Sequence, residues 1–403
     1  MNAFLQLTLA LAIIILAAKA GGYVAVRLRQ PAVLGELLVG LILGPTVIDL
    51  VHLPFVTNPE LLQEEISDLA SLGVVFLMFM AGLEVELREM LHAGRAAALS
   101  GTIGVIVPLF MGALAALPFG YHGADAWFIG IILTATSVSI SAQTLLELGV
   151  LRTREGLTLL GAAVVDDILV LIVLSIFLAI NGADESIGLV LIKMIGYLAL
   201  SGLLGWFVLP RVVTWIDQQS ISEGLTAIVL FIILVFAWSA EVMGGLAAIT
   251  GAFIAGVGLG RSLLREKIET KMRPITYGFL VPVFFVSIGL EANVRAITGT
   301  LLPFLLVLFI VAIVSKVIGA GLGARMAGLT NAESLRVGVG MISRGEVGLI
   351  VAGIGVQQGL ISSEVFSVVV VLVLLTTLIT PLLLRWVFPK TIAAPQTKRT
   401  TPA

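Results

Sequence analysis

The 403-residue chain contains no cysteine, so it has no disulfide framework, no thiol chemistry and no thiolate metal site. Charge is scarce as well. Asp, Glu, Lys and Arg make up 12% of residues, against ~25% in a soluble globular domain. A net charge of −2 with no basic block argues against a nucleic-acid partner. The three histidines, His52, His92 and His122, fall near helix ends or in loops, a spacing that makes no metal cluster. None sits inside an apolar span as a general base, which removes a serine-protease reading. Apolar residues are what the chain has in excess. They make up 59% of it, with a mean hydropathy of +1.14, and this places the whole chain in a lipid bilayer.

About thirteen apolar spans of membrane length follow one another: 3–24, 31–48, 66–83, 96–118, 125–147, 155–180, 187–213, 221–242, 244–260, 274–290, 300–325, 331–356 and 362–388. Short connections leave no soluble domain between them, and 391–403 is a short polar tail. The N-terminal stretch has no positive n-region and reads as the first span rather than a signal peptide. Basic residues alternate by loop. Arg27, Arg29, Arg88, Arg95, Arg152, Arg154, Arg211, the 261–273 segment and the C-terminal tail fall on one side. The other side carries almost only Arg295, beside Glu60, Glu64, Glu65, Asp184 and Glu185. By the positive-inside rule the N-terminus is outside and the C-terminus cytoplasmic, in a multi-pass protein of the inner (plasma) membrane.

The two halves resemble each other. Gly35, Gly40 and Gly44 of the second span recur as Gly251, Gly256 and Gly260 in the ninth; Gly82-Leu83-Glu84 recurs as Gly289-Leu290-Glu291. The offsets, 216 and 207 residues, match spans one to six with spans eight to thirteen. The expected division is one membrane domain over 1–390: repeat one 1–182, a linker helix 183–220, and repeat two 221–390. One unit starts outside and the other inside, so the repeats are inverted. Secondary transporters share that arrangement, with a site near the midplane where the repeats meet.

Chemistry concentrates at four places. The sixth span carries Asp166 and Asp167 at its centre, and even one mid-membrane charge costs ~2.5–3.5 kcal/mol or more. The fifth span is dense in hydroxyls from Thr134 through Thr136, Ser137 and Ser139 to Ser141. Such side chains compete for backbone partners and weaken a helix. Its repeat partner, the twelfth, holds Ser343, Arg344, Gly345 and Glu346 between glycines. Both read as helices broken midway, their loose carbonyls facing a cavity; an internal Arg344–Glu346 pair is the plainer alternative. Lys316 lies deep in the eleventh span, where a carboxylate partner costs less than snorkelling. Lys19 and Lys193, nearer their helix ends, are expected to snorkel. Adjacent helical residues diverge by about 100°, so one aspartate can face an ion cavity and the other a second helix. Spacing does not say which.

Taken together, Gly35–Pro45, Phe79–Glu84, Thr134–Ser141, Val165–Asp167, Pro282–Glu291, Lys316 and Ser343–Glu346 resemble the cation:proton antiporters of the second CPA-type family, in particular sodium/proton antiporters of the NapA kind. The resemblance covers essentially the whole chain. It implies an all-α polytopic fold of two inverted six-helix repeats with crossed discontinuous helices, a dimer (panel) domain and a core (transport) domain. It also implies a homodimer and an elevator-like motion of the core. Carried over by position, Asp167 resembles the main ion- and proton-carrying carboxylate. Asp166 resembles the partner of Lys316, and Thr136 and Ser137 resemble oxygen donors. Potassium-efflux relatives gated by glutathione have Gln-Asp in place of the Asp pair and a nucleotide-binding domain, so nucleotide regulation is not expected.

The residues alone support the same chemistry. A hard monovalent cation takes carboxylate, hydroxyl and carbonyl oxygens, and a buried carboxylate holds either a cation or a proton. Oxygen ligands suit sodium, lithium and potassium alike; the resemblance implies sodium, or also lithium, as the cargo against protons, with no cofactor and no enzymatic activity. An aspartyl protease would need its carboxylates facing each other across two helices, which neighbours on one helix cannot do. A channel would not need a buried lysine counter-ion. A potassium/proton antiporter and a sodium-coupled symporter of an organic anion are the alternatives.

Overall fold

The structure, a computed structural model, describes residues 2–28, 30–54, 56–84, 94–180, 187–219, 221–291, 299 and 301–388. Arg29, Arg88, His92, Asp184, Glu185, Arg295 and the tail 391–403 lie outside the described residues. Among the described residues every regular element is helical.

The first half holds α1 (Ala3–Arg27), α2 (Ala32–Leu43), α3 (Pro59–Glu84), α4 (Gly94–Ala116), α5 (Ala124–Thr134), α6 (Val138–Leu148) and α7 (Arg154–Ile180). A linker follows, α8 (Ile187–Leu203), passing through a π-helical turn at Leu204–Val208 into α9 (Leu209–Asp217). The second half holds α10 (Gly224–Val242), α11 (Ala248–Leu259) and α12 (Arg265–Ile275). A second π-helical turn, Thr276–Leu280, leads into α13 (Val281–Glu291). It closes with α14 (Leu302–Met326), α15 (Asn331–Gly340), α16 (Glu346–Gln357) and α17 (Ser363–Val387). Ten of the described helical stretches are long and apolar enough to cross a bilayer, and three shorter apolar helices accompany them.

Local chemistry sets several ends. Asn2 caps α1 and Ser362 caps α17, each side chain accepting from a backbone N–H three residues on. Thr330 and Glu333 close α15 with a reciprocal capping box. α2 is shorter than its expected span, 31–48, because Gly44 precedes Pro45 and is extended, which ends the helix. α11 begins later than residue 244 because Gly245 turns at φ +62°.

The helices pack in two groups. α2 lies on α1 and α13, α3 on α11 and α13, and α10 on α11, forming a panel. α4 packs on α14, α7 and α5, while α15 packs on α14, α7 and α17, forming a core. The matched glycines are where panel helices cross. A Cβ at Gly40 would lie 2.4 Å from the Val286 carbonyl oxygen, and one at Gly289 would lie 2.2 Å from the backbone of Gly40. In the other half, a Cβ at Gly256 would lie 2.2 Å from the Phe79 oxygen, and one at Gly82 would lie 2.3 Å from that of Phe253. The two crossings are repeat-equivalent, since Gly40 matches Gly256 and Gly82 matches Gly289. The glycine spacing thus encodes backbone-to-backbone contact, the membrane use of small residues.

Candidate functional site

Both broken spans are broken in the structure. The fifth stops as a helix at Thr134 and restarts at Val138; the twelfth stops at Gly340 and restarts at Glu346. The breaks cross and are tied by backbone, with the Ser137 N–H donating to the Ser343 oxygen at 2.9 Å. The Ser141 hydroxyl donates to the Gly340 oxygen at 2.6 Å. Gly345 has to be a glycine here, because a Cβ would come within 2.6 Å of the Ser137 side chain. Two helix C-termini and two N-termini therefore converge in the core, with partial charges of both signs.

Four ionisable side chains stand around this crossing. Lys316 of α14 donates to Asp166 Oδ1 at 2.7 Å, and both side chains are fully buried. The remaining oxygen, Asp166 Oδ2, is buried without a hydrogen-bond partner, with Thr136 close by. Asp167 is slightly more open, at 7% exposure, and its Oδ2 accepts from the Thr250 hydroxyl of α11 at 3.4 Å. It therefore touches the panel, while Asp166 faces the core. Arg344 and Asp167 are both near enough to Lys316 to act on it electrostatically.

Arg344 does a job that its sequence position left open. Its guanidinium donates to the Leu133 oxygen at 2.9 Å and also to the Ile342 oxygen. Leu133 is in the last turn of α5, so the arginine caps the carbonyl end of that half-helix. The Glu346 side chain lies outside the described residues, so the expected alternative pair with Arg344 is not described. Ser343 Oγ is buried and unpartnered, while the Ser137 hydroxyl shares a hydrogen bond with Ser139 at 2.9 Å. The structure thus brings Asp166, Asp167, Thr136, Ser137, Lys316, Ser343 and Arg344 into one neighbourhood.

Three further groups went unnoticed in the sequence. Thr250 is a lone hydroxyl in the apolar ninth span, a signal that could have been read. Thr376 and Thr377 bond Arg344: its N–H donates to Thr376 Oγ1 at 3.3 Å, and Thr377 Oγ1 donates to its carbonyl at 2.9 Å. They follow Asp166 and Asp167 by 210 residues, within the range of the repeat offsets. The second repeat thus holds two threonines where the first holds two acids, which confines the charged pair to one side of the pseudo-symmetry. The third is Glu147 at the end of α6. It accepts from the Ala32 N–H at 2.6 Å, the Val33 N–H at 3.3 Å and Gln143 at 2.8 Å, and so joins core to panel. Lys19 is half exposed, as snorkelling requires, and it also pairs with Glu36 at 3.1 Å, because the buried carboxylate on α2 needs a counter-charge and α1 offers one. Lys193 is exposed, as snorkelling requires.

Crevices approach along the boundary of panel and core from both ends of the bundle. On the side of the basic loops a cavity of about 640 Å³ is lined by Lys19, Glu36, Glu147, Arg152, Glu269 and Arg273. At the other end a smaller one of about 110 Å³ is lined by Ser67, Ser71, Ser287 and Gly345. Neither is lined by the aspartate pair. Among the described residues no group of three or more His, Cys, Asp or Glu side chains could cage a metal ion.

The family described as sodium/hydrogen exchanger, transmembrane, matches residues 11–390. The chain belongs to the sodium/hydrogen exchanger family. It is 42% identical over 380 residues to the Na(+)/H(+)-K(+) antiporter GerN of Bacillus cereus, spanning 94% of this chain and 95% of that protein. It is 37% identical over 387 residues to a Na(+)/H(+) antiporter of Enterococcus hirae, spanning 95% and 98%. Its fold matches the sodium proton antiporter MjNhaP1 of Methanocaldococcus jannaschii with a TM-score of 0.69, over 95% of this chain and 97% of that one. At 18% identity that likeness is one of fold alone. This exchanger is accordingly a multi-pass membrane transporter, a cation/proton antiporter and not an enzyme, and the expected resemblance to sodium/proton antiporters is borne out.

Proposed function

We propose that this exchanger moves sodium, and also lithium, against protons, with Asp167 and Asp166 holding the cation and Thr136 and Ser137 lending oxygens. The observation that carries the proposal is the fully buried Lys316–Asp166 pair beside Asp167, at the crossing of two broken helices. In the unloaded site Lys316 neutralises Asp166 and Asp167 carries the proton. An arriving cation takes Asp167 and the unpartnered oxygen of Asp166, and Lys316 gives up its pairing. Freed of Asp166, Lys316 releases its own proton as well, so two protons leave, one from Asp167 and one from Lys316, for each cation that enters, and exchange is electrogenic. The core slides against the panel as an elevator, with repeat one at 1–182, the linker at 183–220 and repeat two at 221–390. The N-terminus is outside and the C-terminus cytoplasmic, in a homodimer. Potassium is the second reading, because one relative is named as an Na(+)/H(+)-K(+) antiporter.

Liposomes with an imposed pH gradient test the cation. Sodium and lithium are expected to collapse the gradient and potassium only weakly. Equal responses to all three would remove the sodium assignment.

A further inference from the structure

The linker helix does more than join the halves. On the side of the basic loops an apolar slot of about 350 Å³ opens between α8, the core helices α4 and α7, and the panel helix α11. Its walls include Gly94, Gly161, Gly202, Gly205 and Gly258, so bare backbone lies where side chains would normally fill the gap. Trp206 forms one end of the slot and is also a wall of a second recess, of about 530 Å³. That recess carries Arg211, Arg261, Thr214, Gln218 and Trp215, and no acidic residue lines it. The Arg261 guanidinium lies 3.2 Å from the centre of the Trp206 ring, and Arg211 donates to the Phe207 carbonyl. Among the described residues neither arginine has a carboxylate within ion-pair distance, whereas nearby Lys267 and Lys271 are paired with Asp217 and Glu223.

An apolar slot beside an acid-free pair of arginines framed by indoles matches one molecule found in every bilayer. We propose that this is a binding site for an anionic phospholipid, with one acyl chain in the glycine-walled slot and the phosphate on Arg211 and Arg261. Guanidinium groups hold phosphate oxygens in a planar fork, and tryptophans favour the headgroup level. Charge selects the occupant: a zwitterionic lipid fills the slot equally well but leaves both arginines short of a net counter-charge. The walls come from core, panel and linker, so any sliding of the core reshapes the slot, and a bound lipid is coupled to transport. The inference does not depend on which cation is carried.

The test uses the full chain in detergent. Thermal midpoints are read with added phosphatidylglycerol, phosphatidylcholine or soluble glycerol phosphate, and native mass spectrometry reads lipid retained through delipidation. Phosphatidylglycerol is expected to raise the midpoint by several degrees, phosphatidylcholine by less and glycerol phosphate not at all. Arg211→Gln with Arg261→Gln removes the preference for phosphatidylglycerol while leaving the lipid-free midpoint in place. Gly202→Leu fills the slot itself. A Cβ there meets no atom within 4 Å, so the fold tolerates it, and retention of both lipids is expected to fall. Equal stabilisation by both lipids, an undiminished preference in the double variant, or an equal response to glycerol phosphate overturns the proposal.

Discussion

Asp166 and Asp167 are neighbours on one helix with unlike surroundings. The first is sealed against Lys316; the second reaches the panel through Thr250. That difference separates two substitutions that look alike on paper. Asp167→Asn keeps shape and hydrogen-bonding groups but removes the charge, so cation-driven proton release from liposomes is expected to vanish while the protein stays folded. Retained exchange would show that the carrying carboxylate lies elsewhere. Asp166→Asn strands Lys316 as a buried charge, and breaking such a pair costs ~3–5 kcal/mol. The thermal midpoint in detergent should therefore fall further for Asp166→Asn than for Asp167→Asn, and the opposite order would exchange their roles.

At the scale of elements, the crossings carry the fold. The panel helices meet at glycines whose absent side chains let carbonyls touch the opposing backbone. A Cβ at Gly289 or at its repeat mate Gly82 meets backbone atoms rather than a flexible side chain. Gly289→Ala and Gly82→Ala should each destabilise by ~1–3 kcal/mol or more, as overpacked sites do. Gly353→Ala, in α16 with nothing within 4 Å of its Cβ, serves as the control and should be neutral or stabilising. Comparable midpoints for all three in a thermal scan would mean that the crossings relax freely. In the core, the crossing is held by other means: the Ser137–Ser343 backbone bond and the Arg344 cap on α5 keep two half-helices open without leaving their ends unsatisfied.

Over the whole molecule, the proposed elevator motion requires that contacts between panel and core be breakable. Glu147 makes the most direct of them, bonding the first two N–H groups of α2 from the end of α6. If the core slides, this contact opens once per cycle. Glu147→Ala should then raise the initial rate of exchange at saturating cation, read by a pH dye in liposomes. An unchanged rate would mean that the contact persists throughout. The charge moved per cycle is a property of the same scale. If Lys316 releases Asp166 when the cation arrives, Lys316→Gln should turn electrogenic exchange electroneutral while proton movement continues. Full-sized currents on a solid-supported membrane would reduce Lys316 to a structural counter-ion.

The bilayer explains how much was readable in advance. With no water to satisfy backbone groups or ions, each apolar span had to be helical, and each charge within a span had to be functional or paired. Asp166, Asp167 and Lys316 were therefore visible as a set from composition along the chain, and the hydroxyl run at 134–141 and the glycines around 343–346 marked the two breaks. The repeat was legible because backbone contact admits only glycine, so its spacing survives wherever helices cross. Pairing was not legible. Helical periodicity says that Asp166 and Asp167 point apart, but only packing says that Asp166 turns to α14 and Asp167 to α11. Snorkelling accounted for Lys19 in the sequence, but its pairing with Glu36 depends on how α2 packs against α1. Arg344 bonds its own segment at Ile342, and the fold also sets it on the carbonyl end of a helix two hundred residues away in the chain. Sequence determines which groups must find partners in lipid; the partners are decided by which helices the tertiary fold brings together.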